Sequence, residues 1–108
     1  MATVKVTSEN FESEVLGSEK PVLVDLWASW CGPCKMLSPV LEQISEERSD
    51  IKVCKINVDE EQQLAAEFRV SSIPHIALLQ GNRIIAQSVG FKPKNAILQM
   101  VDDALKNV

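Results

Sequence analysis

Residues 21–28 form an almost continuously apolar run, Pro-Val-Leu-Val-Asp-Leu-Trp-Ala. An apolar run of this length fits a β-strand that is covered on both faces, as in α/β proteins with helices on each side of a sheet. Asp25 is the one charged residue in the run. The run therefore predicts a buried strand that carries a single acidic side chain.

The rest of the chain alternates between strand and helix patterns. Further strands are predicted at residues 3–6, 51–58, 76–79 and 83–89. Helical spacing of apolar residues marks residues 7–17, 34–48, 59–68 and 97–105. The residues expected to begin, bend or turn these elements are Thr7 and Ser8 as an N-cap, Pro39 as a kink, Asp59 and Gln62 as a capping box, and Gly81 and Asn82 as a hairpin turn.

The resulting order, β-α-β-α-β-α-β-β-α, predicts an α/β fold with a mixed central sheet flanked by helices on both faces. Strands separated by helices are expected to be parallel, and the last two antiparallel. With 108 residues, the chain is expected to form a single domain, residues 1–108.

Charge and hydropathy exclude several classes of partner. The net charge is −4, from 11 basic and 15 acidic side chains, and no cluster of Lys or Arg is present, which argues against a nucleic-acid partner. No apolar run approaches the roughly 20 residues that span a bilayer, so no membrane partner is expected. Residues 1–5 lack the pattern of an export signal.

Two cysteines, Cys31 and Cys34, lie where the apolar strand leads into a long helix. Residues three apart in a helical turn have Cβ atoms about 5–6 Å apart, and a disulfide accepts Cα separations of roughly 4.4–6.8 Å. Free N–H groups and the helix dipole favour a thiolate at Cys31 by up to about 2 kcal/mol. We therefore predict that an exposed Cys31 attacks a disulfide, and that Cys34, shielded by Trp30 and the preceding strand, resolves the product.

Half of a zinc site is the alternative interpretation of this pair. Structural zinc usually needs a second pair of ligands, and only Cys54 and His75 remain as soft ligands. Cys54 lies in a strand pattern, where a buried small hydrophobe is the expectation. The spacing and context favour redox chemistry, with no metal.

Asp25 is the second candidate catalytic residue. Burying a carboxylate costs several kcal/mol and raises its pKa towards the range useful for proton transfer. An ion pair with Lys55 on the neighbouring strand is the structural alternative. Our hypothesis is that Asp25 accepts the proton of Cys34, through water, during resolution. By contrast, nothing local to Ile73 and Pro74 demands a catalytic role, and because only about 5–6% of X-Pro bonds are cis, the sequence alone predicts a trans bond.

Taken together, these motifs resemble the thioredoxin family from about Val4 to the C-terminus. The residues that carry the resemblance are Val22-Leu23-Val24-Asp25, Trp27-Ala28, Trp30-Cys31-Gly32-Pro33-Cys34-Lys35, Pro39, Asn57-Val58-Asp59, Ile73-Pro74 and Val89-Gly90. The resemblance implies the thioredoxin fold and a cytoplasmic protein-disulfide reductase with broad protein substrates. It also implies no bound cofactor and recharging by thioredoxin reductase and NADPH; we expect a monomer.

Residue by residue, the resemblance implies that Cys31 attacks, Cys34 resolves, and Asp25 and Lys55 form a buried pair near Cys34. Pro74 matches a cis-proline that faces the disulfide, beside backbone that binds an extended substrate. The positions that match a flat, mostly apolar substrate surface are Trp30, Gly32, Pro33, Ile73, Val89 and Gly90.

The chain departs from the family pattern at Leu26, where Phe is common, at Ser29, at Ser71-Ser72 and at His75, where Thr is usual. His75 is expected to be a satisfied polar residue; the alternative is that its charge tunes Cys31. Three rival functions stay open: an isomerase or oxidase module, which the Gly32-Pro33 pair disfavours, a rigid interaction module with incidental thiols, and a metal-cluster protein.

Overall fold

The computed structural model describes residues 3–107. The strands are β1 (Val4–Lys5), β2 (Val22–Trp27), β3 (Lys52–Asn57), β4 (His75–Gln80) and β5 (Arg83–Val89). The helices are a π-helical segment (Glu12–Leu16), α1 (Gly32–Glu47), α2 (Gln62–Glu67) and α3 (Lys94–Lys106). Met1, Ala2 and Val108, which the predicted domain and N-terminal interpretation include, lie outside the described residues.

The sheet has the order β1-β3-β2-β4-β5, which places β2 at its centre. Strand β2 pairs parallel with β3 and antiparallel with β4, and its residues 22–26 are all buried. The prediction of a buried strand from the apolar run is therefore confirmed, and so is the short edge strand β1.

Alternate residues of the strands face two separate apolar cores. One core joins the strands to the π-helical segment and α2, through buried side chains that include Val15, Leu64 and Phe68. The other core joins them to α1 and α3, through Leu37, Leu41, Ile44, Ile97 and Val101. Helices thus cover both faces of a mixed sheet, which confirms the predicted fold class.

The direction of β4 differs from the prediction, because β4 runs antiparallel to β2 although a helix precedes it. A parallel crossover must return along the whole strand, and six residues of strand span about 20 Å. Helix α2 has 6 residues, and six residues of helix rise only about 9 Å. The chain therefore enters β4 at the edge where β3 ends.

Two local predictions also need correction. The first helical segment closes with a π turn, since the N–H of Gly17 donates to the carbonyl of Glu12 at 2.7 Å. The capping box is wrong: the N-cap of α2 is Glu61, and the Asp59 and Gln62 side chains do not cap this helix.

The predicted N-cap at Thr7 and Ser8 is wrong as well, because the N-cap of the first helical segment is Phe11, which has no side-chain cap bond. The Thr7 hydroxyl accepts from the N–H of Glu9 in the turn before that segment. Helix α1 contains Pro39 and continues to Glu47. Gly81, with φ at +65°, turns the chain between β4 and β5. Within residues 3–107, the helices are too short or too polar to cross a membrane.

Candidate active site

The two cysteines of the motif are joined by a disulfide at the start of α1. Cys31 is the N-cap residue, with extended backbone, and Cys34 lies in the first turn, 5.2 Å away between Cα atoms. The Sγ of Cys31 accepts a hydrogen bond from the backbone N–H of Cys34 at 3.2 Å. The sulfur thus lies at the positive end of the helix, where a thiolate is favoured.

The expected contrast in exposure between the two cysteines is not seen. In the disulfide state Cys31 is 5% exposed and Cys34 is 3% exposed. The prediction that Cys31 is exposed is therefore wrong for the disulfide state. Gly32 and Pro33, which link the pair, are exposed, so the disulfide lies directly beneath the protein surface.

Trp30 does not shield Cys34, which corrects the sequence interpretation. Its side chain is 69% exposed, and its indole N–H donates to the carboxylate of Asp59 at 2.8 Å. The pair instead forms a small cluster with Ala28, against which Trp27, Val58 and Ile73 pack. Sequence reasoning missed the Asp59 contact, for which the chain offers no local signal.

Asp25 lies on the central strand and is 1% exposed. Within the described residues, neither carboxylate oxygen has a hydrogen-bond partner. Burial raises the pKa of Asp25 to about 7, against the opposing attraction of Lys55. An unpartnered carboxyl with that pKa can gain or lose a proton near neutral pH.

Lys55 is the register partner of Asp25 on β3, but it does not hydrogen-bond to the carboxylate. Its Nζ donates to the hydroxyl of Ser38 on α1 at 2.9 Å and lies 5.2 Å from the centroid of the Trp27 ring. Asp25 and Lys55 are therefore neighbours, as predicted, and attract each other electrostatically, but they form no hydrogen bond. Sequence reasoning missed Ser38, although its position one turn after Cys34 places both on one side of α1.

The Ile73–Pro74 bond is cis, so the trans expectation from frequency is wrong and the expectation from the resemblance is confirmed. The carbonyl of Pro74 accepts from the N–H of Gly90 at 2.8 Å. Ile73 packs against the cysteine cluster, and Val89 is 47% exposed. The structure thus brings together the two chain segments of the predicted substrate surface beside Cys31 and Cys34.

His75 follows this proline and is buried in β4. Its Nε2 shares a 2.9 Å hydrogen bond with the Oε1 of Gln87, while its Nδ1 has no partner within residues 3–107. The first contact favours the structural role. Cys54 is buried in the core formed with α2, and burial raises the pKa of its thiol to about 11, as expected of an unreactive core residue.

The described residues contain no group of three or more His, Cys, Asp and Glu side chains that could hold a metal ion. In this part of the chain His75 and Cys54 do not join the cysteine pair as ligands. The donor set that a structural zinc requires is thus not assembled here.

Comparisons with known proteins agree with this geometry. A family model described as Thioredoxin matches residues 2–103. The thioredoxin of Mycobacterium tuberculosis is 47% identical over 108 residues, which cover 99% of this chain and 93% of that protein. The thioredoxin of Bacillus subtilis is 47% identical over 106 residues, covering 97% of this chain and 100% of that protein. A bifunctional thioredoxin reductase/thioredoxin of Mycobacterium leprae is 49% identical over 107 residues, covering 98% of this chain and 23% of that longer protein.

Proposed function

Because the chain belongs to the thioredoxin family of dithiol–disulfide oxidoreductases, we propose that it is a general reductant of protein disulfides, recharged by thioredoxin reductase and NADPH. The observation that carries the proposal is the Cys31–Cys34 disulfide at the N-terminus of α1, on the strand–helix junction that follows the buried Asp25.

The first step uses the reduced protein. The Cys31 thiolate attacks one sulfur of a substrate disulfide, whose bond breaks as the other substrate sulfur leaves as a thiolate. A mixed disulfide between Cys31 and the substrate results. The N-terminal end of α1 supports this assignment, because its N–H groups stabilise negative charge on the Cys31 sulfur.

The second step releases the substrate. The Cys34 thiol gives its proton to the Asp25 carboxylate, through water, and the Cys34 sulfur attacks the sulfur of Cys31. The bond to the substrate breaks, and the substrate leaves as a second thiolate. Two electrons have then passed to the substrate, and the protein is left with the Cys31–Cys34 disulfide. The pKa of about 7 that burial gives Asp25 supports its role as the proton acceptor.

Protein substrates would bind the surface formed by Trp30, Gly32, Pro33, Ile73, Val89 and Gly90. Within residues 3–107, neither the N–H nor the carbonyl of Ile73 makes a backbone hydrogen bond. These groups can pair with an extended substrate segment as an added strand would. Hydrogen bonds between backbones do not depend on the side chains of the substrate, which supports a broad range of protein substrates.

Electrons for the next cycle would come from NADPH through thioredoxin reductase. The relative from Mycobacterium leprae carries both names in one chain, which supports the pairing of this domain with a reductase. We further propose that residues 1–108 act as one cytoplasmic, monomeric domain. The charge of Lys55 would lower the pKa of Asp25 in that domain and so act on the proton acceptor.

The proposal is tested by NADPH-coupled reduction of insulin, with thioredoxin reductase added or omitted. Without insulin, the reductase should consume one equivalent of NADPH to reduce the Cys31–Cys34 disulfide. Continuous consumption should require the reductase, this protein and insulin together, and Cys31→Ser should abolish it. An interaction module with incidental thiols would show no insulin reduction. An oxidase or isomerase would have a reduction potential well above about −270 mV, the potential at which thioredoxins operate.

A further inference from the structure

Lys55 is the neighbour of Asp25 that could neutralise it, yet the structure holds the Lys55 ammonium elsewhere. The two residues are Cα partners in the parallel pairing of β2 and β3, so their side chains leave the same face of the sheet. Adjacent strands are about 4.8 Å apart, and a lysine side chain easily reaches across that distance. Both Asp25 oxygens are nevertheless without a hydrogen-bond partner in residues 3–107.

Two contacts keep the Lys55 ammonium in its place. Its Nζ donates to the Ser38 hydroxyl at 2.9 Å, and it lies over the Trp27 ring at 5.2 Å from the centroid. Of these two contacts, only the one with Ser38 is a hydrogen bond. Ser38 is partly buried on α1, one turn after Cys34. The Lys55 ammonium thus binds the neutral Ser38 hydroxyl, although the anionic Asp25 carboxylate is a neighbour on the adjacent strand.

We propose that Ser38 is a positioning residue for the resolving step: it holds the Lys55 ammonium away from Asp25, so that the Asp25 carboxylate stays a strong enough base to take the proton of Cys34. This inference rests on the proposed function, which makes Asp25 the acceptor. Ser38 takes no direct part in this proton transfer. It acts through the place that it gives to Lys55.

Within residues 3–107, the other elements packed on this face do not provide a second cation for Asp25. Strand β4 offers Ile76 and Leu78, and α3 offers Ile97 and Val101. On α1, Glu42 accepts a hydrogen bond from the Thr3 hydroxyl. At the sheet edge, Lys5 pairs with Glu60 at 3.6 Å on the protein surface. In the described part of the chain, Lys55 is the residue whose charge opposes the raised pKa of Asp25.

Removing the hydroxyl should therefore change the acidity of Asp25. An opposite charge within about 4–6 Å lowers a carboxyl pKa by about 1–3 units. In Ser38→Ala, Lys55 loses its acceptor and can turn to the carboxylate, which favours the ionised form. A helix tolerates alanine better than serine, so the variant should fold. Asp25 should then titrate at a lower pH and accept the Cys34 proton less readily.

The test is the titration of Asp25 in the oxidised protein, followed by the chemical shift of its carboxyl carbon. Ser38→Ala should lower the midpoint by about one pH unit or more, and Ser38→Thr, which keeps a hydroxyl, should restore the wild-type midpoint. In a Lys55→Met background, Ser38→Ala should have no further effect. A cavity of about 160 Å³, lined by Thr3, Lys5, Trp27, Lys55 and Asn57, is another place to which the Lys55 side chain could move. If Lys55 moves there, the midpoint will stay or rise, and the inference is wrong.

A kinetic measurement separates this inference from the proposed function. In this measurement, a preformed mixed disulfide at Cys31 is resolved at several pH values. In Ser38→Ala, the pH profile of the resolution rate should shift in the same direction as the titration midpoint of Asp25. If Asp25→Asn slows resolution while Ser38→Ala leaves the pH profile unchanged, the inference fails and the role of Asp25 stands. If Asp25→Asn has no effect, the proposed proton acceptor itself is wrong.

Discussion

The carbonyl of Pro74 and the backbone N–H of Gly90 are joined by a 2.8 Å hydrogen bond. This contact links the segment before β4 to the segment after β5, which are two of the three chain segments that form the proposed substrate surface. Gly90 reaches it with φ at +91°, in a region that side chains with a Cβ rarely adopt.

Gly90→Ala should therefore weaken both stability and substrate reduction. A Cβ at this position would meet no atom closer than the Nζ of Lys92 at 3.9 Å, so the cost is conformational, about 1–3 kcal/mol. Urea unfolding and insulin reduction measure the two effects. Gly81→Ala is the matched control, because Gly81 also has positive φ but lies at the opposite end of the hairpin. It should lose stability without losing activity; equal losses of activity in both variants would contradict a specific role for the Pro74 contact.

The buried carboxyl of Asp25 should make the stability of the oxidised protein depend on pH. Burial raises its pKa from 3.8 to about 7 in the folded state. Between those values the folded state binds the extra proton, so stability falls as pH rises from about 4 to 7, by about 4 kcal/mol in all.

Asp25→Asn removes this titration, although its buried amide adds a cost that does not vary with pH. The variant should lack the decline that wild type shows across this range, as measured by urea unfolding at several pH values. Parallel curves for the two proteins would mean that Asp25 titrates in the folded state as it does in the unfolded chain.

His75 should leave the redox chemistry unchanged. Its Nε2 is engaged by Gln87, and His75 pairs in the sheet with Leu26 and Val89, outside the cluster formed by the cysteines. We expect wild type and His75→Thr to have the same reduction potential at each pH from 5 to 8. Curves that separate below neutral pH would show instead that the charge of His75 tunes Cys31.

The parts of the fold that the sequence predicted are those with a local cause. A continuous apolar run identified β2, and the spacing of Cys31 and Cys34 at a strand–helix junction identified a pair within disulfide reach. The direction of β4 could not be read in the same way, because it depends on how far the short helix α2 carries the chain.

The details of the site depend on contacts between distant segments. The cis bond before Pro74 followed from the resemblance and not from local preference. The sequence predicts that Lys55 is a neighbour of Asp25, but it does not predict that Ser38 binds the Lys55 ammonium. The choice between the Asp25 carboxylate and the Ser38 hydroxyl arises only when β2, β3 and α1 have packed together. The sequence analysis predicts that Trp30 covers Cys34, but the Trp30 indole lies at the surface, where its N–H donates to the Asp59 carboxylate.

The central claim is that Cys31 attacks substrates and Cys34 releases them. Trapping of mixed disulfides tests it most directly. Reduced Cys34→Ser and Cys31→Ser variants are each incubated with insulin, and covalent complexes are counted by mass spectrometry without reductant. Cys34→Ser should accumulate a complex through Cys31, and Cys31→Ser should accumulate none. A complex that forms through Cys34 in Cys31→Ser, with none in Cys34→Ser, would contradict the account.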